Sequence, residues 1–120
     1  MANSYQRGQS DVRPWGTWEV IDCGNEFCVK HICVNAGGIL SLQSHNFRAE
    51  HWIIVKGTAV VTLGEQMLEK RAGESVYIPL KTKHRIQNKT NAPMEFVEVQ
   101  VGENLDENDI IRYEDMYGRV

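Results

Sequence analysis

The feature that most constrains this chain is how short its apolar runs are. Each alternates polar with apolar residues and is soon broken by Gly, Asn or Pro. A period of two puts one side chain in two on each face of a strand, and the breakers supply turns. The runs are Trp18–Asp22, Phe27–Val34, Ile39–Ser44, His51–Lys56, Ala59–Leu63, Gln66–Lys70, Ser75–Ile78, His84–Gln87 and Met94–Val101. About nine short strands predict an all-β antiparallel sandwich or barrel. The single helical candidate is short and acidic, near Glu107–Tyr113. The charged tail from Asp106 carries Ile110, Ile111, Tyr113, Met116 and Tyr117, so it is expected to pack on the barrel wall. Residues 1–12 are polar and without period, and read as a flexible N-terminal arm before one domain over residues 13–120.

A chain of 120 residues suits one domain with a core that needs no disulfide. The net charge of −3 gives no basic excess to neutralise a run of phosphates, which argues against nucleic-acid and anionic-membrane partners. No apolar run approaches the length of a membrane span, and Met1–Asp11 has no apolar signal core, so a cytoplasmic location is expected. Cys23, Cys28 and Cys33 are odd in number and match no zinc-ribbon spacing, so they read as reduced thiols in the core.

The chemistry-bearing residues gather in two places. Gln43 and His45 are two apart and share a strand face, and Glu50 opens the next strand, where a hairpin brings it beside His45. His84 opens a strand much later in the chain. Two imidazoles, a carboxylate and an amide oxygen form a mixed nitrogen and oxygen set. It suits one divalent transition metal: zinc first, with cobalt, manganese, iron or nickel also compatible.

The wider spacing is more specific. Gly37, Gln43, His45, Glu50 and Gly57, followed by Gly73, Pro79, His84 and Asn88, resemble the two motifs of the cupin superfamily in order and separation. Gln43 stands where a histidine is usual and Lys81 where a glycine is usual. The longer stretches are more specific still: Arg13–Trp18, Leu40–Trp52, Tyr77-Ile78-Pro79, His84-Arg85-Ile86, Glu98–Gly102 and Asp109–Arg119. Together they resemble the type II phosphomannose isomerase domain, over about residues 12 to 119. In that family the glutamine belongs to the pattern, and this domain usually ends a bifunctional mannose-6-phosphate isomerase and mannose-1-phosphate guanylyltransferase.

The resemblance implies a cupin-type double-stranded antiparallel β-barrel, or jelly roll, with metal ligands at Gln43, His45, Glu50 and His84. It implies conversion of mannose 6-phosphate to fructose 6-phosphate, feeding GDP-mannose for polysaccharide. The glycine-rich nucleotide-sugar motif has no counterpart here, so guanylyltransferase activity is expected to be absent from this polypeptide. Aldose–ketose isomerisation needs a polarised carbonyl, a base between C1 and C2, and a phosphate anchor. Arg48 and Arg85 flank the ligands and are the first candidates for the phosphate; alternation turns Arg85 away from His84 unless the strand bulges, whereas Arg48 lies in a loop. Arg13, Lys30, Lys83, Arg112 and Arg119 are further options. Glu98 and Gln100 share one strand face and Val97, Val99 and Val101 the other. Either the valines fill the core, or Glu98 as base and Gln100 as a substrate contact line a polar pocket. Lys30, between Val29 and His31, poses the same question as a catalytic candidate. His51 alternates outward, while Trp52 and Tyr77 are core or pocket-wall aromatics. An exposed first strand at Trp15–Ile21 predicts a homodimer. The alternatives are a metal-binding cupin with another sugar or oxygenase chemistry, and a non-catalytic carbohydrate-binding or accessory module.

Overall fold

The computed structural model describes residues 3–118. Eleven strands form: β1 (Ser10–Arg13), β2 (Gly16–Cys23), β3 (Phe27–Val34), β4 (Leu42–Ser44), β5 (Ala49–Lys56), β6 (Thr58–Leu63), β7 (Gln66–Arg71), β8 (Ser75–Ile78), β9 (His84–Gln87), β10 (Met94–Val101) and β11 (Ile111–Glu114). They build two antiparallel sheets, in the orders β1-β2-β3-β10-β5-β8 and β11-β4-β9-β6-β7. The core lies between them. The first sheet contributes Trp18, Val20, Ile32, Ile54, Ile78 and Phe96, and the second contributes Ala59, Val61 and Ile86.

The nine expected strands are present, and the two additions are the sheet edges β1 and β11. β1 falls within the expected arm. That stretch is anchored at Tyr5, which is buried, and at the Ser4 amide, which donates to the Leu105 carbonyl at 2.9 Å, while most of its other residues are exposed. Its first two residues lie outside those described. Because β1 pairs along β2, the Trp15–Ile21 region is not the sheet edge. β11 replaces the expected helix at Glu107–Tyr113. An edge strand needs no continuous apolar face: β1 carries no alternation, and in β11 the alternation of Ile111 and Tyr113 with Arg112 and Glu114 lasts only four residues.

Alternation also sets a gradient along the barrel. On β10 the buried row reads Met94, Phe96, Glu98, Gln100, while Val97 and Val99 lie on the opposite, half-buried face. Register then stacks like with like. Met94 pairs with Val34 and Phe96 with Ile32 and Ile54 at one end, whereas Glu98 pairs with Lys30 and Gln100 with Glu50 at the other. One end is a dry apolar plug; the other collects charged groups that cannot be buried without partners.

Two backbone details fit these turns. A side chain on Gly16 would put Cβ 2.0 Å from the Cys33 carbonyl oxygen, so only glycine lets β2 approach β3 there. Lys81 takes φ +61°, the left-handed conformation that glycine adopts readily, and its amide donates to the His45 carbonyl at 2.7 Å.

Candidate metal centre

At the polar end, His45, Glu50 and His84 are buried, and one ligand atom from each lies within 4.8 Å of the others. β5 carries Glu50, β9 carries His84, and His45 follows β4. The ring centroids of the two histidines are 5.0 Å apart. His45 Nε2 is 3.2 Å from Glu50 Oε2, and His84 Nε2 is 3.8 Å from Glu50 Oε1.

Each imidazole is oriented by its other nitrogen. His45 Nδ1 lies 2.6 Å from the Asp109 carbonyl oxygen, and His84 Nδ1 lies 2.9 Å from the Thr82 carbonyl oxygen. A carbonyl accepts only, so in the neutral rings both Nδ1 atoms carry the proton and both Nε2 atoms present lone pairs. Burial first, then the nearby Arg48 and His84, push His45 down to about 3, so the ring is neutral at pH 7. A lone pair therefore faces a carboxylate oxygen at 3.2 Å. His84 Nε2 is buried with no hydrogen-bond partner. Three acceptors converging on one point, one of them orphaned, is an arrangement that a divalent cation satisfies. The residues fit a metal.

Arg48 also enters this group. Expected in a loop as a phosphate anchor, it is buried. Its Nε donates to Glu50 Oε2 at 3.0 Å, its Nη1 to Tyr5 Oη at 3.3 Å, and its Nη2 lies 3.3 Å from His45 Nε2. Burial pushes the Glu50 carboxyl up, but Arg48, His84 and the hydrogen bonds it accepts together outweigh burial and leave the group ionised, below its ordinary range. Arg85 points the other way, as alternation requires. It donates from Nε to the Leu40 carbonyl at 2.9 Å and from Nη1 to Glu114 at 3.2 Å, tying β9 to β11. Both arginines are engaged by the protein itself.

Glu98 and Gln100 face inward, so the polar-pocket alternative is the one the fold adopts. Trp52 Nε1 donates to Glu50 Oε1 at 3.0 Å and to Glu98 Oε1 at 3.1 Å, and Gln100 Nε2 donates to Glu98 Oε2 at 2.9 Å. Burial, then the charge of Glu50, raise the Glu98 carboxyl above its ordinary range. Lys30 is buried with its Nζ 4.1 Å from the Tyr5 ring centre and 4.3 Å from that of Trp18. A cleft of about 100 Å³ opens beside the centre, and Lys30, Glu98, Gln43, Arg48, Arg13 and Arg112 are among its lining residues. Gln43 is the register partner of His84, and its Oε1 accepts from Ser41 Oγ at 2.9 Å. His51 faces outward, its ring tilted at 45° and 4.6 Å from that of Tyr77, which is exposed.

Sequence reasoning gave Asp109 no role. Its carbonyl orients His45, and its carboxylate accepts from the Asn46 and Phe47 amides at 3.0 and 2.9 Å. A tail residue thus latches the loop between His45 and Arg48. The signal was an aspartate beside apolar residues in a tail expected to pack.

The comparisons with known proteins agree with this architecture. The family model described as "Mannose-6-phosphate isomerase C-terminal" matches residues 2–115. The chain is 53% identical over 107 residues to the xanthan biosynthesis protein XanB of Xanthomonas campestris, covering 89% of this chain and 23% of that protein. It is 50% identical over 107 residues to the alginate biosynthesis protein AlgA of Pseudomonas aeruginosa, covering 89% and 22%. It is 44% identical over 108 residues to the mannose-1-phosphate guanylyltransferase of Escherichia coli, covering 90% and 23%. It therefore spans about a quarter of the length of these relatives. Among solved structures, a conserved Klebsiella pneumoniae protein with a double-stranded β-helix domain superposes with TM-score 0.74 at 20% identity, covering 87% of this chain and 91% of that one. The cupin domain of Schizosaccharomyces pombe Cnp3 superposes with TM-score 0.72 at 11% identity, covering 77% and 68%. The fold is the cupin double-stranded barrel. No helix is long and apolar enough to cross a membrane among the described residues.

Proposed function

The chain belongs to the family of mannose-6-phosphate isomerase C-terminal domains, and from that premise we propose that it is a metal-dependent aldose–ketose isomerase acting on mannose 6-phosphate and fructose 6-phosphate. The carrying observation is the convergence of two imidazole lone pairs on Glu50, with a titratable carboxyl, Glu98, between that group and an open cleft. His45, Glu50 and His84 would hold the ion, with Gln43 beside them. A divalent metal held there would supply Lewis acidity toward the sugar oxygens.

This chain's own residues do the rest. Glu98 carries the proton between C1 and C2; a carboxyl raised toward the working pH is matched to that exchange. Gln100 and Trp52 fix its two oxygens. Lys30, held between Tyr5 and Trp18, presents a cation to developing oxyanion charge. Arg13, which also pairs with Asp11, and Arg112 are further guanidinium groups lining the cleft that suit the phosphate. The same reading places the chain in the cytoplasm, in a route to surface polysaccharide, as a homodimer.

The test is a coupled assay of mannose 6-phosphate isomerisation on the chain loaded with Zn²⁺, Co²⁺ or Mn²⁺, with elemental analysis alongside. The expected result is metal-dependent turnover that Glu98→Gln lowers about 10²- to 10⁴-fold with metal content unchanged. Bound metal without turnover of any sugar phosphate would sink the isomerase reading and favour a binding module. Iron with oxygen uptake would favour an oxygenase.

A further inference from the structure

A second group of ligand atoms stands on the outer face of the six-stranded sheet, away from the cleft. His31 and Cys33 are two apart on β3 and so share that face; Glu95 on β10 is the register partner of Cys33. His31 Nε2 lies 2.7 Å from Glu95 Oε1, and Cys33 Sγ lies 3.9 Å from His31 Nε2. All three residues are half-buried, and one ligand atom from each lies within 4.8 Å of the others.

We propose that His31, Cys33 and Glu95 form a second metal site for a thiophilic divalent cation of the zinc class. With zinc–nitrogen and zinc–oxygen bonds near 2.0 Å and zinc–sulfur near 2.3 Å, tetrahedral geometry separates nitrogen from oxygen by about 3.3 Å and nitrogen from sulfur by about 3.5 Å. The present separations differ from these by about 0.6 Å or less, within reach of small rotations of half-exposed side chains. The set is one sulfur, one nitrogen and one oxygen, the softer mixture that selects zinc over magnesium or calcium. The fourth position faces outward. A water can fill it, and Glu19, the register partner of His31 across β2, is the nearest carboxylate on the neighbouring strand. Glu95 keeps its second oxygen for Lys56, whose Nζ is 3.9 Å from Oε2, so a metal on Oε1 displaces only the His31 hydrogen bond. Binding takes the Cys33 thiol proton into solvent and leaves a thiolate on the ion. Cys28 cannot serve in its place. It is fully buried, on the inward face of β3. Cys33 is therefore a half-exposed ligand candidate, not the core residue its spacing suggested.

Cobalt is the probe, because the centre at His45, Glu50 and His84 has no sulfur and a thiolate-to-cobalt charge-transfer band reports the outer group alone. Titration of the reduced, full chain with Co²⁺ should develop that band, and Zn²⁺ should abolish it by displacement. Cys33→Ser should remove the band, Glu95→Gln should weaken Co²⁺ binding about tenfold, and Cys23→Ser should change neither. No band in the parent chain at saturating Co²⁺, or a band that survives Cys33→Ser, overturns the site. If Cys33→Ser fails to fold by circular dichroism, Glu95→Gln decides: unchanged cobalt affinity there overturns it equally.

Discussion

The inner and outer groups use nearly the same ligand chemistry in opposite surroundings. Inside, His45, Glu50 and His84 are each at most 2% exposed, and backbone carbonyls fix both ring orientations. Outside, His31 and Glu95 keep about a third of their side-chain surface and simply bond to each other. Water can solvate the outer carboxylate, so its partners are optional. The inner carboxylate has no such recourse and recruits Arg48 and Trp52. Burial thus turns a loose cluster into an obligatory network, in which each group depends on the rest.

Substitutions can break this contrast, starting with the cations. Arg48→Ala strands the Glu50 charge in the interior and should cost about 3–5 kcal/mol in urea unfolding of the metal-free chain. Added Zn²⁺ should restore part of that loss, because a cation then neutralises Glu50. Lys56→Ala, beside the outer Glu95, should shift stability by no more than about 1 kcal/mol. Equal losses at the two positions would remove the contrast.

His84→Ala should lower the affinity of the inner site by at least about a hundredfold, beyond the 10–100-fold typical of groups that only orient a ligand, while circular dichroism stays native. Full metal content in that variant by elemental analysis would place the site elsewhere. Asp109→Ala should act one step removed. Loss of its bonds to the Asn46 and Phe47 amides frees the backbone that orients His45, lowering metal affinity about tenfold and stability by about 1–3 kcal/mol. Unchanged affinity by competition against a chelator would show that the carboxylate latch does not steer the ring. Smallest is Lys81→Gly. It relieves a left-handed φ worth about 1–2 kcal/mol but frees the unfolded chain by about 0.5–1 kcal/mol, so thermal unfolding should show a gain of no more than about 1.5 kcal/mol.

Much of the inner site was legible before any coordinates. Its ligands follow spacing within short strands, and a period of two fixes which side chains share a face. His51 outward, Trp52 inward and Arg85 turned from His84 all obey that rule. The arginines that should meet phosphate were not legible. Arg48 and Arg13 both line the cleft from a loop or a strand end, and only the carboxylate each meets, buried Glu50 or half-exposed Asp11, separates them. Asp109 was equally opaque, since its targets lie more than 60 residues away in the chain.

The sequence by itself determined the alternating strands, the turns between them and the pairing of His45 with Glu50, because these depend on neighbours a few residues apart; His84, far later in the chain, joined them through the resemblance to the cupin motifs. Tertiary structure decided which face of β10 looks inward, since alternation defines two faces without ranking them. The opposing sheet and the register with β3 and β5 ranked them, enclosing Glu98 and Gln100 where Lys30, Trp52 and Glu50 meet their charges. It also made strands of β1, whose residues have no apolar period of their own, and of β11, whose alternation spans only four residues. An edge strand takes its conformation from the hydrogen-bonding row of the strand beside it, and that row exists only once the sheet has formed.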